Sequence, residues 1–297
     1  MRRLLRDGGG EFPAEYLVSR LRGRRRKRLE RRHALQGGMD GGVWPSEEAI
    51  EEERDREIHW LYRQLNHPTA KALGPLFLLL ELRRFVNWLR QREGGGGLGD
   101  DGFYPLSLFA DPLRRELKEQ HTAAEALLSL EKRVVPVLPA MRGISRAYGQ
   151  KGLLAVEQQM TAALLALGAT RGRATPMGDL CRRLIDFGNL MRLVKAWLWK
   201  LSPLPAFMPA GHLSPMRLQR IDREGDVVRI GLPASVSRET ITPEQIAALE
   251  ERHKKTIWRA AQVQARQLEP LAVIIEYLCF IEAETVFLRG RRPGGGG

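Results

Sequence analysis

Glu276, Glu282 and Glu284 stand within a nine-residue stretch of the last apolar run, and they are the first candidates for chemistry. Two carboxylates in apolar surroundings can act as a general acid and base, provided a neighbour drives their pKa values apart. The sequence offers no such neighbour, and Glu282 and Glu284, two residues apart, fall on different faces of a helix. Pairing with cations of an adjacent helix is the better reading. The six histidines, His33, His59, His67, His121, His212 and His253, are scattered. They form neither HExxH nor any pair four apart that would hold a metal. Cys181 and Cys279 lie in apolar helical runs, as reduced core thiols do. GxSxG, catalytic-cysteine and Walker patterns are missing. The stretch Glu93–Gly102, EGGGGLGDDG, has no strand before it and no Gly-Lys-Ser/Thr after it, so it reads as a linker and not as a phosphate cradle. The expectation is a chain with no catalytic residue, no metal, no cofactor and no small-molecule substrate.

A different pattern does recur. Leu184-Ile-Asp-Phe-Gly-Asn-Leu-Met-Arg192 follows Leu82-Arg-Arg-Phe-Val-Asn-Trp-Leu-Arg90 at a distance of about a hundred residues, with Leu, Phe, Asn and Arg at the same four places. Around the second copy, Leu180, Leu184, Phe187, Met191, Val194, Leu198 and Leu201 alternate in steps of four and three. Such steps return to one face of a helix. Asparagine is a poor helix former, so Asn87 and Asn189 at matched positions suggest a task. The expected task is a hydrogen bond to a neighbouring helix or loop backbone that fixes register. The structural residues of the repeat are Phe85, Asn87 and Arg90 in one copy and Asp186, Phe187, Asn189 and Arg192 in the other. Glu282, Glu284 and Arg289 form a related set on the last helix.

Positioning these residues takes a series of helices. Residues 14 to about 32 form a basic helix, and Gly37–Pro45 is a linker. Ser46 caps a helix that runs to about Asn66, with Glu47 and Glu48 on its first turn. The first repeat helix covers Thr69–Arg92. One long helix is expected over 111–134 and one or two over 140–168, with a turn at Gly149–Gly152. Thr242 and Gln245 form a capping box for a helix reaching Glu269, and Pro270 starts the last. Val227–Leu232 is the one strand-like run. The fold class is therefore all-α, since apolar seams of this kind need antiparallel helical partners. At 297 residues and 43% hydrophobic content, the chain can bury a sizeable core.

Charge is uneven. Residues 1–33 hold twelve Arg or Lys against Asp7, Glu11, Glu15 and Glu30, a net of +8. Residues 47–57 hold seven acids against Arg54 and Arg56, a net of −5. The basic block, with Arg20, Arg22, Arg24, Arg25, Arg26, Lys27 and Arg28, is a candidate interface for an anionic partner or else a solvated face. Neither a secretory signal nor an uninterrupted membrane-spanning run is evident, so a cytoplasmic protein is expected.

In the order of its motifs, the chain resembles the C/d family of V-type (A-type) ATPase rotor proteins, called C in bacteria and archaea and d in eukaryotes. Tyr16-Leu-Val-Ser-Arg20 and Arg22 match the family's N-terminal Tyr-x-x-x-Arg helix. Asp186-Phe-Gly-Asn-Leu190 matches its Asp-x-x-Asn-Leu segment, and Gly211-His-Leu-Ser214 its Gly-x-Leu-Ser turn. Glu282-Ala-Glu-Thr-Val-Phe-Leu-Arg289 matches the closing Glu-x-Glu-x-x-Asn-Leu-Arg helix in part, with Phe287 in place of asparagine. Arg84 stands where the first segment usually has Asp. The resemblance implies three pseudo-repeated helical bundles arranged as a funnel: residues 14–102, 103–206 and 207–290, between a disordered N-terminus (1–13) and a Gly-rich tail (291–297). It implies a non-catalytic socket between the central-stalk subunits and the membrane proteolipid ring, peripheral on the inner face of the cell membrane. A basic face would then meet acidic head groups. The rival readings are a basic helical nucleic-acid-binding protein and an unrelated scaffold. The tryptophans mostly accompany apolar helical runs, as packing residues do, so nucleic acid is not the expected partner.

Overall fold

The computed structural model describes residues 4–6, 9–10, 13–37, 44–93, 106–172, 174–233 and 236–290. It is all-helical, with ten α-helices and no strand among the described residues. They are α1 (Ala14–Gly37), α2 (Glu47–Gln64), α3 (His67–Glu93), α4 (Asp111–Lys118), α5 (Ala123–Val134), α6 (Ile144–Arg171), α7 (Pro176–Leu198), α8 (Pro215–Glu224), α9 (Pro243–Ala265) and α10 (Pro270–Gly290). Most of the linker at Glu93–Gly102 and the tail at 291–297 lie outside the described residues.

Local chemistry sets most helix starts. The Ser46 side chain accepts from Ala49 N, and Thr242 and Gln245 form both bonds of the capping box. The long helix expected over 111–134 is two helices. Thr122 and Glu125 form a second capping box, and the Glu125 carboxylate also accepts from His121 N, so a new helix begins there. Gly152 breaks the regularity of α6 with φ 72°, inside the turn expected at 149–152. The strand-like run at 227–232 is instead a 3₁₀ turn, Val228–Ile230. Gly225 and Gly231 flank it at positive φ, and Val227, Ile230 and Leu232 all turn inward. Helix α9 stops at Ala265, short of Glu269.

Buried apolar side chains gather in two clusters. The larger joins α1–α6, the first half of α7 and α10. The smaller joins the second half of α7 with α8, the 227–241 turns and the start of α9. Helix α7 therefore runs from one core into the other, with Cys181 and Ile185 in the first and Leu193 and Trp197 in the second. The last helix closes on the first two, since α10 packs on both α1 and α2. Residues 4–6, expected to be loose, are pinned. Arg6 N donates to Leu108 O and Ala110 N to Leu4 O, with Leu4 and Leu5 buried. Helix α6 alone among the described helices is long and apolar enough to cross a membrane by length and composition. It packs against α3, α5 and α7, and its Glu157 pairs with Arg90.

Candidate functional site

Two polar constructions stand out from these cores. The first is a seam of charge where α1, α2 and α10 meet. Arg24 and Arg28 lie one helical turn apart on α1 and so reach across the same side. Arg24 Nε donates to Glu57 Oε1 at 2.6 Å and Nη2 to Oε2 at 2.5 Å. The Tyr277 hydroxyl donates to the same Glu57 Oε1 at 2.6 Å. Arg28 Nε donates to Glu284 at 2.6 Å, and its Nη1 lies 3.3 Å from Glu53. Arg25 Nη1 lies 2.8 Å from Glu276. The Arg24 guanidinium also covers the Trp60 ring at 3.9 Å.

Glu57, Glu276 and Glu284 are all buried, so each needs its cation. Burial would raise the Glu57 carboxyl, but the hydrogen bonds from Arg24 and Tyr277 and the nearby guanidiniums outweigh it and leave it below the ordinary range. Burial raises Glu276, and Arg25 offsets only part of that. The same burial, with the Glu57 charge alongside, raises the Tyr277 hydroxyl.

A parallel network on the other side of α2 joins α3 and α10. Arg54, itself buried, contacts Glu51 and Asp55, and Arg84 Nε lies 2.6 Å from Asp55. Arg84, the counterpart in the first copy of Asp186 in the second, thus pairs with an acid of α2. Glu282 is 3.7 Å from Arg54 Nε, and Arg289 pairs with Glu51.

The second construction is a clasp on α7. Asp179, Asp186, Asn189 and Arg192 recur along one face at steps of seven, three and three, and together they hold the segment 206–213. Asn189 Nδ2 donates to Met208 O at 2.8 Å, and Met208 N donates to Asn189 Oδ1 at 2.7 Å. The Asp186 carboxylate accepts from His212 N at 3.1 Å and Leu213 N at 2.9 Å. Arg192 Nη1 donates to Ala206 O at 2.9 Å. Asp179 accepts from Arg183 Nε and Gln264 Nε2, tying in α9, and lies 3.1 Å from His212 Nε2. Burial raises the Asp186 carboxyl, partly offset by the two backbone donors. Close approach demands glycine at 211 and is only mild at 188, where the neighbour is the end of a flexible side chain. A Cβ on Gly211 would sit 2.2 Å from Asp186 Oδ1, and one on Gly188 2.6 Å from the Met208 methyl.

The expected residues therefore divide. Asn189 performs the backbone bridging foreseen for it, whereas Asn87 is exposed and, among the described residues, accepts from Arg90 of its own helix, at 3.0 Å. Phe85 is fully buried, stacked near Trp88 and edge-on to Phe109, while Phe187 is half-buried against the smaller core. Of the basic block, Arg24, Arg25 and Arg28 are committed to carboxylates within the chain. Arg20 donates to Gln64 and Arg26 to Glu30. Arg22 and Lys27 are exposed. Sequence reading missed Glu53, Glu57, Trp60 and Tyr277. The acidic swing at 47–57 was the available signal, being the counter-charge to α1. Among the described residues, no group of three His, Cys, Asp or Glu is placed to hold a metal ion. Burial pushes both cysteine thiols up to about 12, away from nucleophilic use.

Compared with known proteins, the chain matches no family model and has no match among the curated proteins.

Proposed function

We propose that the chain is a non-catalytic coupling subunit of a V/A-type rotary ATPase, a socket that joins the central stalk to the proteolipid ring at the membrane. One observation carries this reading: the helices and turns that carry the motifs of the resemblance, distant in sequence, meet in space in two pairs. The N-terminal basic helix meets the closing Glu-x-Glu helix through Glu284 and Arg28, which lies beyond the Tyr16–Arg22 motif on the same helix, 256 residues away in sequence. The Asp-x-x-Asn-Leu segment meets the Gly-x-Leu-Ser turn through Asp186 and the amides of His212 and Leu213. Residues chosen for a shared family pattern would be expected to form such pairs if the pattern is architectural. A torque-transmitting body must also be stiff, and charged seams and backbone clasps between close-packed helices favour that.

In this reading residues 14–102, 103–206 and 207–290 are three related units of a funnel, and the protein is peripheral on the inner face of the membrane. The nucleic-acid alternative is less favoured, because it needs arginines available to phosphates, and Arg24, Arg25 and Arg28 are taken up by Glu57, Glu276 and Glu284.

Affinity capture of the tagged chain from detergent-solubilised native membranes, followed by mass spectrometry, tests the proposal. Stalk and proteolipid subunits are the expected companions. Nucleic acid or ribosomal proteins in their place, with no ATPase subunit, would refute it.

A further inference from the structure

We infer that the cleft between α1 and the α9–α10 turn binds a phosphate group carried on an apolar chain. The cleft has a volume of about 440 Å³. That size suits a small ligand and not the broad surface of a protein partner. Its floor is apolar, built by Leu21 of α1, Ala265 at the end of α9 and Val273 of α10. Three arginines line the cleft, Arg22, Arg25 and Arg266.

Their commitments differ. Arg25 is occupied by Glu276 and lies over the Phe280 ring at 5.2 Å. Arg22 and Arg266 are exposed and Gln262 is half-buried, and none of the three side chains has a hydrogen-bond or ion-pair partner among the described residues. Glu276, which also lines the cleft, answers Arg25 and leaves Arg22 and Arg266 as the cations there that an incoming anion would neutralise. A guanidinium fork matches phosphate oxygens in charge and geometry.

Leu268 gives the ligand its second half. It lines the same cleft, is 55% exposed, and is held at φ 60°, a left-handed conformation that a branched side chain rarely adopts. The turn thus presents an apolar side chain to water at the edge of a cationic recess. An acyl chain extending from a phosphate bound at Arg22 and Arg266 would cover it. The inference stands on the cleft alone and does not require the rotary reading.

Binding to the full-length protein is measured by calorimetry with two soluble probes, lysophosphatidate below its micelle-forming concentration and inorganic phosphate. Flotation is measured with phosphatidylcholine vesicles, with and without phosphatidylglycerol. The expected result is that lysophosphatidate binds more tightly than inorganic phosphate, and that Arg22→Ala/Arg266→Ala weakens it by about tenfold or more, ~1.4 kcal/mol. Leu268→Gly, which also relieves the backbone, should weaken lysophosphatidate and leave inorganic phosphate unchanged. A charge-matched control, Lys71→Ala/Lys151→Ala, removes two exposed cations from α3 and α6 and should change nothing. Flotation lost in the arginine variant identifies a bilayer lipid as the source. Binding of the soluble probe without flotation identifies a free phosphorylated amphiphile. Equal binding by the arginine variant and the wild type overturns the site, as does equal loss in the charge control. Equal affinity for the two soluble probes overturns the apolar half. Displacement by an acidic peptide, with no lysophosphatidate binding, overturns the ligand class.

Discussion

The two copies of the nine-residue motif, 82–90 on α3 and 184–192 on α7, keep Leu, Phe, Asn and Arg in register yet use them in opposite ways. In the α3 copy the aromatic residue does the packing. Phe85 is fully buried between Trp88 and Phe109, while Asn87 and Arg90 face outward, Arg90 reaching Glu157 on α6. In the α7 copy the polar residues hold the structure. Asn189 is fully buried and bonded at both ends of its amide, and Asp186 and Arg192 grip the same returning segment, while Phe187 is half-buried. The chain after α7 returns along the helix and offers backbone groups to Asn189. After α3 it is next described at Leu106, whose carbonyl accepts from His59 Nδ1 and not from Asn87. An asparagine in a helix offsets its propensity cost only where a backbone segment needs satisfying. The repeated letters thus preserve a helix face, and what lies across that face decides their use.

Truncating the aromatic residues should give the largest contrast. Phe85→Ala empties a filled core site and should cost about 3–5 kcal/mol. Phe187→Ala should cost about 1–2 kcal/mol, since part of that ring is already in water. Urea unfolding of the two variants measures the difference, and equal losses would mean that the two copies share one packing role. The asparagines should reverse the order. Asn189→Ala leaves both the Met208 N–H and C=O buried without partners, a loss of about 2–4 kcal/mol. Asn87→Ala should lie within about 0.5 kcal/mol of wild type, tending toward stabilisation because alanine is the better helix former. A loss of similar size in both would imply that Asn87 also clasps a segment.

How far this was legible from residues alone depends on sequence distance. The caps at Ser46 and Thr242 and the helical class were readable, because three-residue spacing and apolar period are local properties. The capping box at Thr122 and Glu125 is equally local, yet the single helix expected over 111–134 runs straight through it. Asn189 could be marked as odd, but nothing at position 189 says that Met208 will lie beside it and that no described segment will lie so beside Asn87. The basic block failed in the same way. Arg24 and Glu57 are 33 residues apart, and Arg28 and Glu284 are 256 apart. A run of arginines reads as an outward face until the helix opposite is known to be acidic.

The glycine of the second copy sharpens the comparison further. Gly188 stands where α3 has Val86, which is fully buried. Gly211→Ala should cost about 1–3 kcal/mol, because the new methyl would meet the Asp186 carboxylate that holds the turn. Gly188→Ala should cost less. It presses only on the end of the flexible Met208 side chain, and alanine recovers roughly 1 kcal/mol of helix propensity. Equal losses in thermal unfolding would show that the helix, and not the turn, sets the close approach.

The smallest expected effect is a pH response present in one copy only. Position 186 is an acid in α7, whereas its counterpart in α3 is Arg84, paired with Asp55. Burial holds the Asp186 carboxyl above its ordinary value, against the pull of the Leu213 and His212 amides and of the nearby His212 and Arg183. Between the ordinary and the raised value the folded chain therefore binds more protons at this site than the unfolded chain. Its contribution to stability is fully present below the ordinary value and is lost as pH rises through the raised one. Glu57, held below its ordinary value, works in the opposite sense, losing its contribution as pH falls. Whole-protein curves mix the two, so the test is a difference. Asp186→Asn keeps one acceptor oxygen for the 212–213 amides and removes the titration. Unfolding free energies of wild type and variant, measured from acid to neutral pH, should diverge with the wild type losing more as pH rises through this window. A difference with the opposite slope would mean that the two amide donors outweigh burial, making the clasp a charged one. A flat difference would mean that Asp186 has the same affinity for protons whether or not the segment 206–213 is docked.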